Sequence, residues 1–291
     1  MHTAGQDLAF GRNPAYGAAI DYYLKDSLEN IQVKVTDLEG NIVRTMKGMN
    51  KAGLHRMHWD LRYNRPLVPK LRTVPEEKDW VKEEFNDQGW RVLYTWDLDL
   101  NAGNKVGPKV TPGLYKVHLK AGDYEQTETV EVLKDPHSEG SIESIRKQTS
   151  FALKLYDAIN QTVEMINESE IIRKQIQDQM ADLKPKAQVA AQTLLTDLNA
   201  VADQLYDINL TGAREDSFRN PMKLYGRLSA LASDVNGSGI DFPPTDQQMA
   251  VYEVLRARLD KASADYQEAL KNLDTIKAKH KLAIGIEQVK P

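Results

Sequence analysis

The sequence predicts an α+β chain of two domains, a β-sandwich followed by an antiparallel α-helical bundle. Three observations predict it. The stretch Gly53-Leu54-His55-Arg56-Met57-His58-Trp59-Asp60-Leu61-Arg62-Tyr63 alternates, with Met57, Trp59 and Leu61 on one face and Arg56, His58 and Asp60 on the other, as a half-buried strand does. Runs before and after it repeat the period of two and are separated by glycine-bearing turns, the sign of a small sandwich. From Ser141 onward the apolar period lengthens to about three and a half residues, the spacing of amphipathic helices.

Residues 1–12 form a lead-in, and Asn13-Pro14 signals a turn. Ile20 to Leu24 is the first strand. Ile31 to Leu38 follows, with Ile31, Val33 and Val35 inward. Glu39-Gly40-Asn41 is a hairpin turn in which glycine supplies the positive φ. Ile42 to Met46 returns, and a turn from Gly48 to Gly53 leads into the tryptophan strand. Residues 64–110 are irregular, with Pro66, Pro69, Pro75 and Pro108 and two aromatic patches. A loop of this length is usually functional or carries structure of its own. It reads as an insertion with a short helix near 76–86 and a strand near 90–96. After Thr111-Pro112-Gly113, Leu114 to Lys120 points Tyr115, Val117 and Leu119 inward, and Gln126 to Leu133 is the last strand.

Four helices follow. Ile142, Ile145, Thr149, Ala152, Leu155, Ile159, Val163 and Ile166 stripe a long helix that runs to about Leu183, where Lys184-Pro185 stops it. Leu194, Leu198, Val201, Leu205 and Ile208 stripe the second. Pro221 suits the first turn of a shorter one, lined by Met222, Tyr225, Leu228 and Leu231. Thr245-Asp246-Gln247-Gln248 has capping-box spacing before a last long helix striped from Tyr252 to Ile276. One stripe per helix and short connections predict an antiparallel bundle in which the two long helices are neighbours. Thr149 is the single polar residue in these stripes, which argues against an internal metal site. The expected layout is therefore 13–136 for the sandwich, including the insertion 64–110, and 140–285 for the bundle.

Composition narrows the function classes. The chain of 291 residues is 41% hydrophobic and 27% charged, with a net charge of −4. The acidic balance argues against a nucleic-acid surface. No apolar run reaches the roughly 20 residues of a membrane span, and the N-terminus lacks the basic start and apolar centre of a signal peptide. With no cysteine, disulfides, thiolate metal sites and cysteine nucleophiles are excluded. Serine-hydrolase, phosphate-loop and dinucleotide signatures are absent.

Few residues invite chemistry. His55 and His58 are three apart on a strand, so they face opposite ways and cannot share one ion. Asp97-Leu98-Asp99-Leu100-Asn101 opens like a calcium loop, with Asp97, Asp99 and Asn101 as candidate oxygen ligands for calcium. Its glycine arrives one place late, at Gly103, and Pro108 stands where such loops carry glutamate; a solvated turn is the plainer reading. Trp80, Trp90 and Trp96 in the insertion are candidates for a ligand-binding surface, or else pack the insertion in place. Trp59 reads as core. Glycosidic acid–base work needs two facing carboxylates, and nothing in the sequence selects a pair.

Several motifs, in order, carry a family resemblance. Asn13 to Leu24 resembles an "NPPxGAxIxYYL" opening, Asp37 to Arg44 a "DxxGxxVR" hairpin, and Gly53 to Tyr63 a "GLNRxxWDLRY" strand. Thr111 to Val117 resembles an "xPGxYxV" turn and strand. Arg219 to Leu228 and Asp241 to Thr245 look like the helical part of the same pattern. The pattern is that of the C-terminal region of bacterial BNR-repeat or sortilin-like β-propeller proteins, often labelled glycosyl hydrolase. The sheet segment is also similar to the immunoglobulin-like domain of the flagellar-hook capping protein. The resemblance covers roughly 13–285 and implies an immunoglobulin- or fibronectin-like sandwich, an exported (periplasmic or extracellular) location, and docking on a β-propeller domain, another protein chain or an extracellular polysaccharide. Any glycosidase site implied by the label would lie in propeller residues that this chain does not contain, so no catalytic residue carries over. The expected function is a non-catalytic structural or interaction module. The alternative is a glycoside hydrolase-related or carbohydrate-binding protein with its site at the insertion 64–110.

Overall fold

The computed structural model describes residues 11, 14–75, 78, 85–91, 106–211, 221–237, 241–280 and 284–285. The chain is a mixed α+β protein that divides into two compact units. One comprises residues 1–64 with 109–138, and the other 65–108 with 139–291. The segment 65–108, read from the sequence as an insertion of the sheet part, thus groups with the helices.

The first unit holds two antiparallel sheets among the described residues. Strands β1 (Ala18–Leu24) and β4 (Gly53–Trp59) pair in one; β3 (Ile42–Lys47), β2 (Ile31–Thr36), β5 (Gly113–Ala121) and β6 (Tyr124–Val132) lie in that order in the other. Alternation decides which side chains are buried. Ile31, Val33 and Val35 of β2 are buried, while Gln32 and Lys34 between them are half-exposed. The β2–β3 turn is fixed by Asp37, whose carboxylate accepts the backbone N–H and the side-chain amide of Asn41, each at 2.8 Å. Gly40 supplies φ +91° there, a value L-residues with a Cβ rarely adopt.

Both sheets contribute to one core. Trp59 from β4 is fully buried with Val35, Val43, Tyr115 and Val132 of the four-stranded sheet. Its ring meets that of Tyr115 edge-on, 5.3 Å between centroids, a favoured aromatic geometry. Strand β4 is shorter than its alternation suggests. It stops at Trp59 because Leu61 turns into the left-handed region at φ +56°. That turn is held by two bonds: the Trp59 indole N–H donates to Arg62 O at 2.9 Å, and Val110 N–H donates to Leu61 O at 2.9 Å. Leu61 still packs on the core, but from a turn and not from the strand. Gly17 sits beneath the same corner; a Cβ there would lie 2.1 Å from Trp59 O.

The second unit is built on four helices among the described residues, α1 (Ile142–Gln179), α2 (Pro185–Leu205), α3 (Leu224–Gly237) and α4 (Asp246–His280). Ser141 caps α1, its Oγ accepting Ser144 N–H at 3.0 Å. A 3-10 turn over Met180–Asp182 and Pro185 at the start of α2 make the expected break. Thr245 and Gln248 close the capping box reciprocally: Gln248 N–H donates to Thr245 Oγ1 at 3.2 Å, and Thr245 N–H to Gln248 Oε1 at 2.9 Å. Helix α3 begins at Leu224, three residues after Pro221, so Pro221 precedes its first turn. The neighbours differ from expectation. Helix α1 packs chiefly against α3, and α4 chiefly against α2, while the two long helices touch less. They meet at Phe151 and Tyr252, 5.5 Å between ring centroids, and where Tyr266 OH donates to Glu168 at 2.7 Å. One hydrophobic core joins all four helices and includes Leu71 of the 65–75 segment.

Candidate functional site

The apolar stripe of α1 does not end at Ile166. Continued by four and seven residues it reaches Glu170 and Arg173, both buried. Asn160 and Asn167 lie seven apart, two turns along the same helix, on a common face. These residues receive an extended strap, Arg65 to Pro75. Its three prolines lack backbone donors and hold their predecessors in extended geometry; of the backbone donors that remain, four, on Leu67, Lys70, Arg72 and Thr73, meet α1.

Each of those donors is taken by a side chain of α1. Leu67 N–H donates to Asn160 Oδ1 at 2.8 Å, and Lys70 N–H to Asn167 Oδ1 at 2.6 Å. Asn167 Nδ2 in turn donates to Val68 O at 3.3 Å. Arg72 and Thr73 N–H both donate to Glu170 Oε2, at 2.5 and 2.8 Å. The spans match. Ten residues of helix from Asn160 to Glu170 rise roughly 15 Å, and six residues of extended chain from Leu67 to Thr73 cover roughly 19 Å. The strap therefore runs along α1 in the same direction.

Glu170 is the hub. Its carboxylate accepts from five donors: Arg72 N–H, Thr73 N–H, Thr73 Oγ1, the Arg173 guanidinium and Tyr206 OH. Arg173 also donates to Tyr206 Oη at 2.8 Å. Burial, reinforced by the Glu170 charge, pushes the Tyr206 phenol far above its ordinary value. Arg91 closes the far end, donating to Thr73 O at 3.2 Å and to Leu210 O. A carboxylate offers about four lone-pair sites, and here they are filled from within the protein. The expectation that polar side chains stay out of the helix stripes, Thr149 apart, is thus corrected. Thr162, Asn167, Ser169, Glu170 and Arg173 are also buried on α1. The signal that could have found them is the stripe carried past Ile166 in steps of three and four.

Trp90 is half-buried, and its ring faces the cations of the strap, with Lys70 Nζ 4.8 Å and Arg72 Cζ 5.7 Å from the ring centroid. The candidate surface residues Trp80 and Trp96 and the candidate calcium ligands Asp97, Asp99 and Asn101 lie outside the described residues, as do most of the short helix near 76–86 and of the strand near 90–96. His55 is half-buried, its Nε2 2.6 Å from Lys51 O. Asp60 pairs with Arg44 at 3.6 Å. Among the described residues, no three His, Cys, Asp or Glu side chains are grouped to hold a metal ion, and no helix is long and apolar enough to cross a membrane.

A second feature is open where the Glu170 cluster is closed. The outward face of the four-stranded sheet carries a shallow hollow of about 410 Å³, lined among others by Lys34, Thr36, Lys116, His118, Lys120 and Thr127. Comparison with protein-family models, with curated proteins and with solved structures finds no match.

Proposed function

We propose that this chain is a non-catalytic structural and interaction module, the C-terminal accessory region of an exported β-propeller protein. In this reading the two sheets form an immunoglobulin-like sandwich and the four helices an antiparallel bundle. The resemblance of Asn13 to Leu24, Gly53 to Tyr63 and Thr111 to Val117 to propeller-associated regions supports the propeller and export parts. The observation that carries the non-catalytic part is the saturation of Glu170. This buried acid beside a cation and a phenol has its carboxylate oxygens engaged by five internal donors. A general acid or nucleophile must reach a substrate atom, whereas this one grips a strap.

The test is turnover by the full chain on a panel of aryl glycosides and polysaccharides. The expected result is no release of aglycone or reducing ends above a buffer blank. Turnover that disappears on a single acid-to-amide change would overturn the reading.

A further inference from the structure

We propose that the outward face of the four-stranded sheet is a docking surface for an acidic polysaccharide. This rests on the interaction-module reading and names its partner class.

Directly paired residues of antiparallel strands share a face, so the register fixes what this surface presents. One row runs Lys47–Gln32–Lys120–Glu125, the next Thr45–Lys34–His118–Thr127, and the third Ile42–Thr36–Lys116–Thr129. Strand spacing and rise place the four lysines within roughly 10 by 13 Å. Four lysines against the one carboxylate of Glu125 give these rows a charge of +3, on a chain whose net charge is −4. Glu125 is spent on Lys120, 2.7 Å away. No described carboxylate lies within ion-pair distance of Lys34, Lys47 or Lys116. Glu131, opposite Leu114 in the next row of the same face, brings the excess to +2, still basic on an acidic protein.

The floor between the lysines is rigid and polar. The His118 imidazole is bracketed by two hydroxyls, Thr36 Oγ1 at 3.0 Å from Nε2 and Thr127 Oγ1 at 2.8 Å from Nδ1. It ties β2, β5 and β6 together across the hollow. Thr45, Thr129 and Gln32 extend the hydroxyl and amide lining. No Phe, Tyr or Trp occurs in the three rows. Single-stranded nucleic acids are held by stacking on aromatic rings, and this face offers none. Spaced cations over a bed of hydroxyl and amide groups fit instead a chain of anionic sugars, with acid groups on the lysines and hydroxyls on Thr and Gln.

The test is affinity electrophoresis of the full chain in gels containing polygalacturonate, dextran sulfate, neutral dextran or duplex DNA. Retardation by the two acidic polysaccharides, weakening with salt, and none by neutral dextran is expected. Lys47→Glu/Lys116→Glu should reduce apparent affinity roughly tenfold or more. The control of equal charge change, Lys186→Glu/Lys271→Glu on the helices, should leave it unchanged. Thermal unfolding of both variants verifies that they fold, since all four side chains are exposed. Equal retardation of the two variants, DNA retention as strong as that by the polysaccharides, or no retention of the wild-type chain overturns the proposal. Reducing ends assayed in the same samples keep the two readings apart. Turnover removes the non-catalytic one, whereas absent binding without turnover removes only the polysaccharide.

Discussion

Glu170, deep in a 38-residue helix, accepts the backbone N–H of Thr73 at 2.8 Å across 97 positions of sequence. The bond joins an extended, proline-rich strap to α1, and the same carboxylate meets Arg173 and Tyr206. A helix side chain here does work that a neighbouring strand would do in a sheet, taking up the strap's backbone donors. Buried donors left without acceptors cost about 1–3 kcal/mol each, so the strap and helix stabilise each other.

Glu170→Ala should destabilise the protein by about 3–5 kcal/mol, because it leaves the Arg173 charge buried without its partner. The urea midpoint of unfolding measures this. The double change Glu170→Leu/Arg173→Met should cost less than the single one, since no unpaired charge remains. A single variant as stable as wild type would show that Arg173 finds another acceptor.

Alkaline stability should depend on Tyr206. Its folded-state value is raised above the ordinary 10.0, by burial first and the Glu170 charge second. Burial also raises Tyr266, aided by Glu168. A phenol that holds its proton more tightly when folded contributes fully below the unfolded value. Above it the unfolded chain loses protons first, so stability falls as pH rises past about 10. Unfolding free energies measured from pH 8 to 11 should decline at the upper end, with a shallower slope for Tyr206→Phe. An unchanged slope would separate Tyr206 from alkaline unfolding.

The helical part should not fold by itself. A fragment of residues 139–291 lacks Leu71, which is 2% exposed in the helical core. It also leaves Glu170 without the donors of Arg72 and Thr73. Broad, non-cooperative urea unfolding by far-UV circular dichroism is expected for it. A fragment that begins at residue 65 retains the strap, but only with the intervening sheet residues 109–138. A sharp transition for 139–291 would show that the strap is dispensable.

Gly17→Ala should lower the melting temperature markedly. Its φ of +110° alone costs a Cβ-bearing residue about 1–3 kcal/mol, and the new Cβ would sit 2.1 Å from Trp59 O. Gly40→Ala, at φ +91° with nothing within 4 Å of the new Cβ, should suffer the backbone strain without the clash. Differential scanning fluorimetry of the two variants separates the contributions; equal losses would mean that the corner at Trp59 relaxes.

The legible parts of this protein are those in which local pattern and burial agree. Ile31, Val33 and Val35 alternate inward as their spacing dictates, and Thr245 with Gln248 caps α4 as its motif dictates. The candidate site was legible only in part. Glu170 and Arg173 stand on the stripe, yet a stripe is recognised by apolar residues, and charged ones in it read as its end. Their burial depends on donors supplied by Arg72, Thr73 and Tyr206, which no local rule connects to α1. The cationic sheet face escaped for a different reason. Lys34, Lys47, Lys116 and Lys120 come from three strands, and only the register brings them side by side.

By itself the sequence determined the mixed α+β class, the approximate strand and helix positions and the Thr245–Gln248 cap, because period and capping chemistry act over a few residues. Tertiary structure alone decided that the 65–75 strap joins the helices, that α1 lies chiefly on α3, and that Leu61 leaves its strand for a left-handed turn. Those outcomes turn on which distant group satisfies a buried hydrogen-bonding atom, and such pairings exist only once the chain has folded.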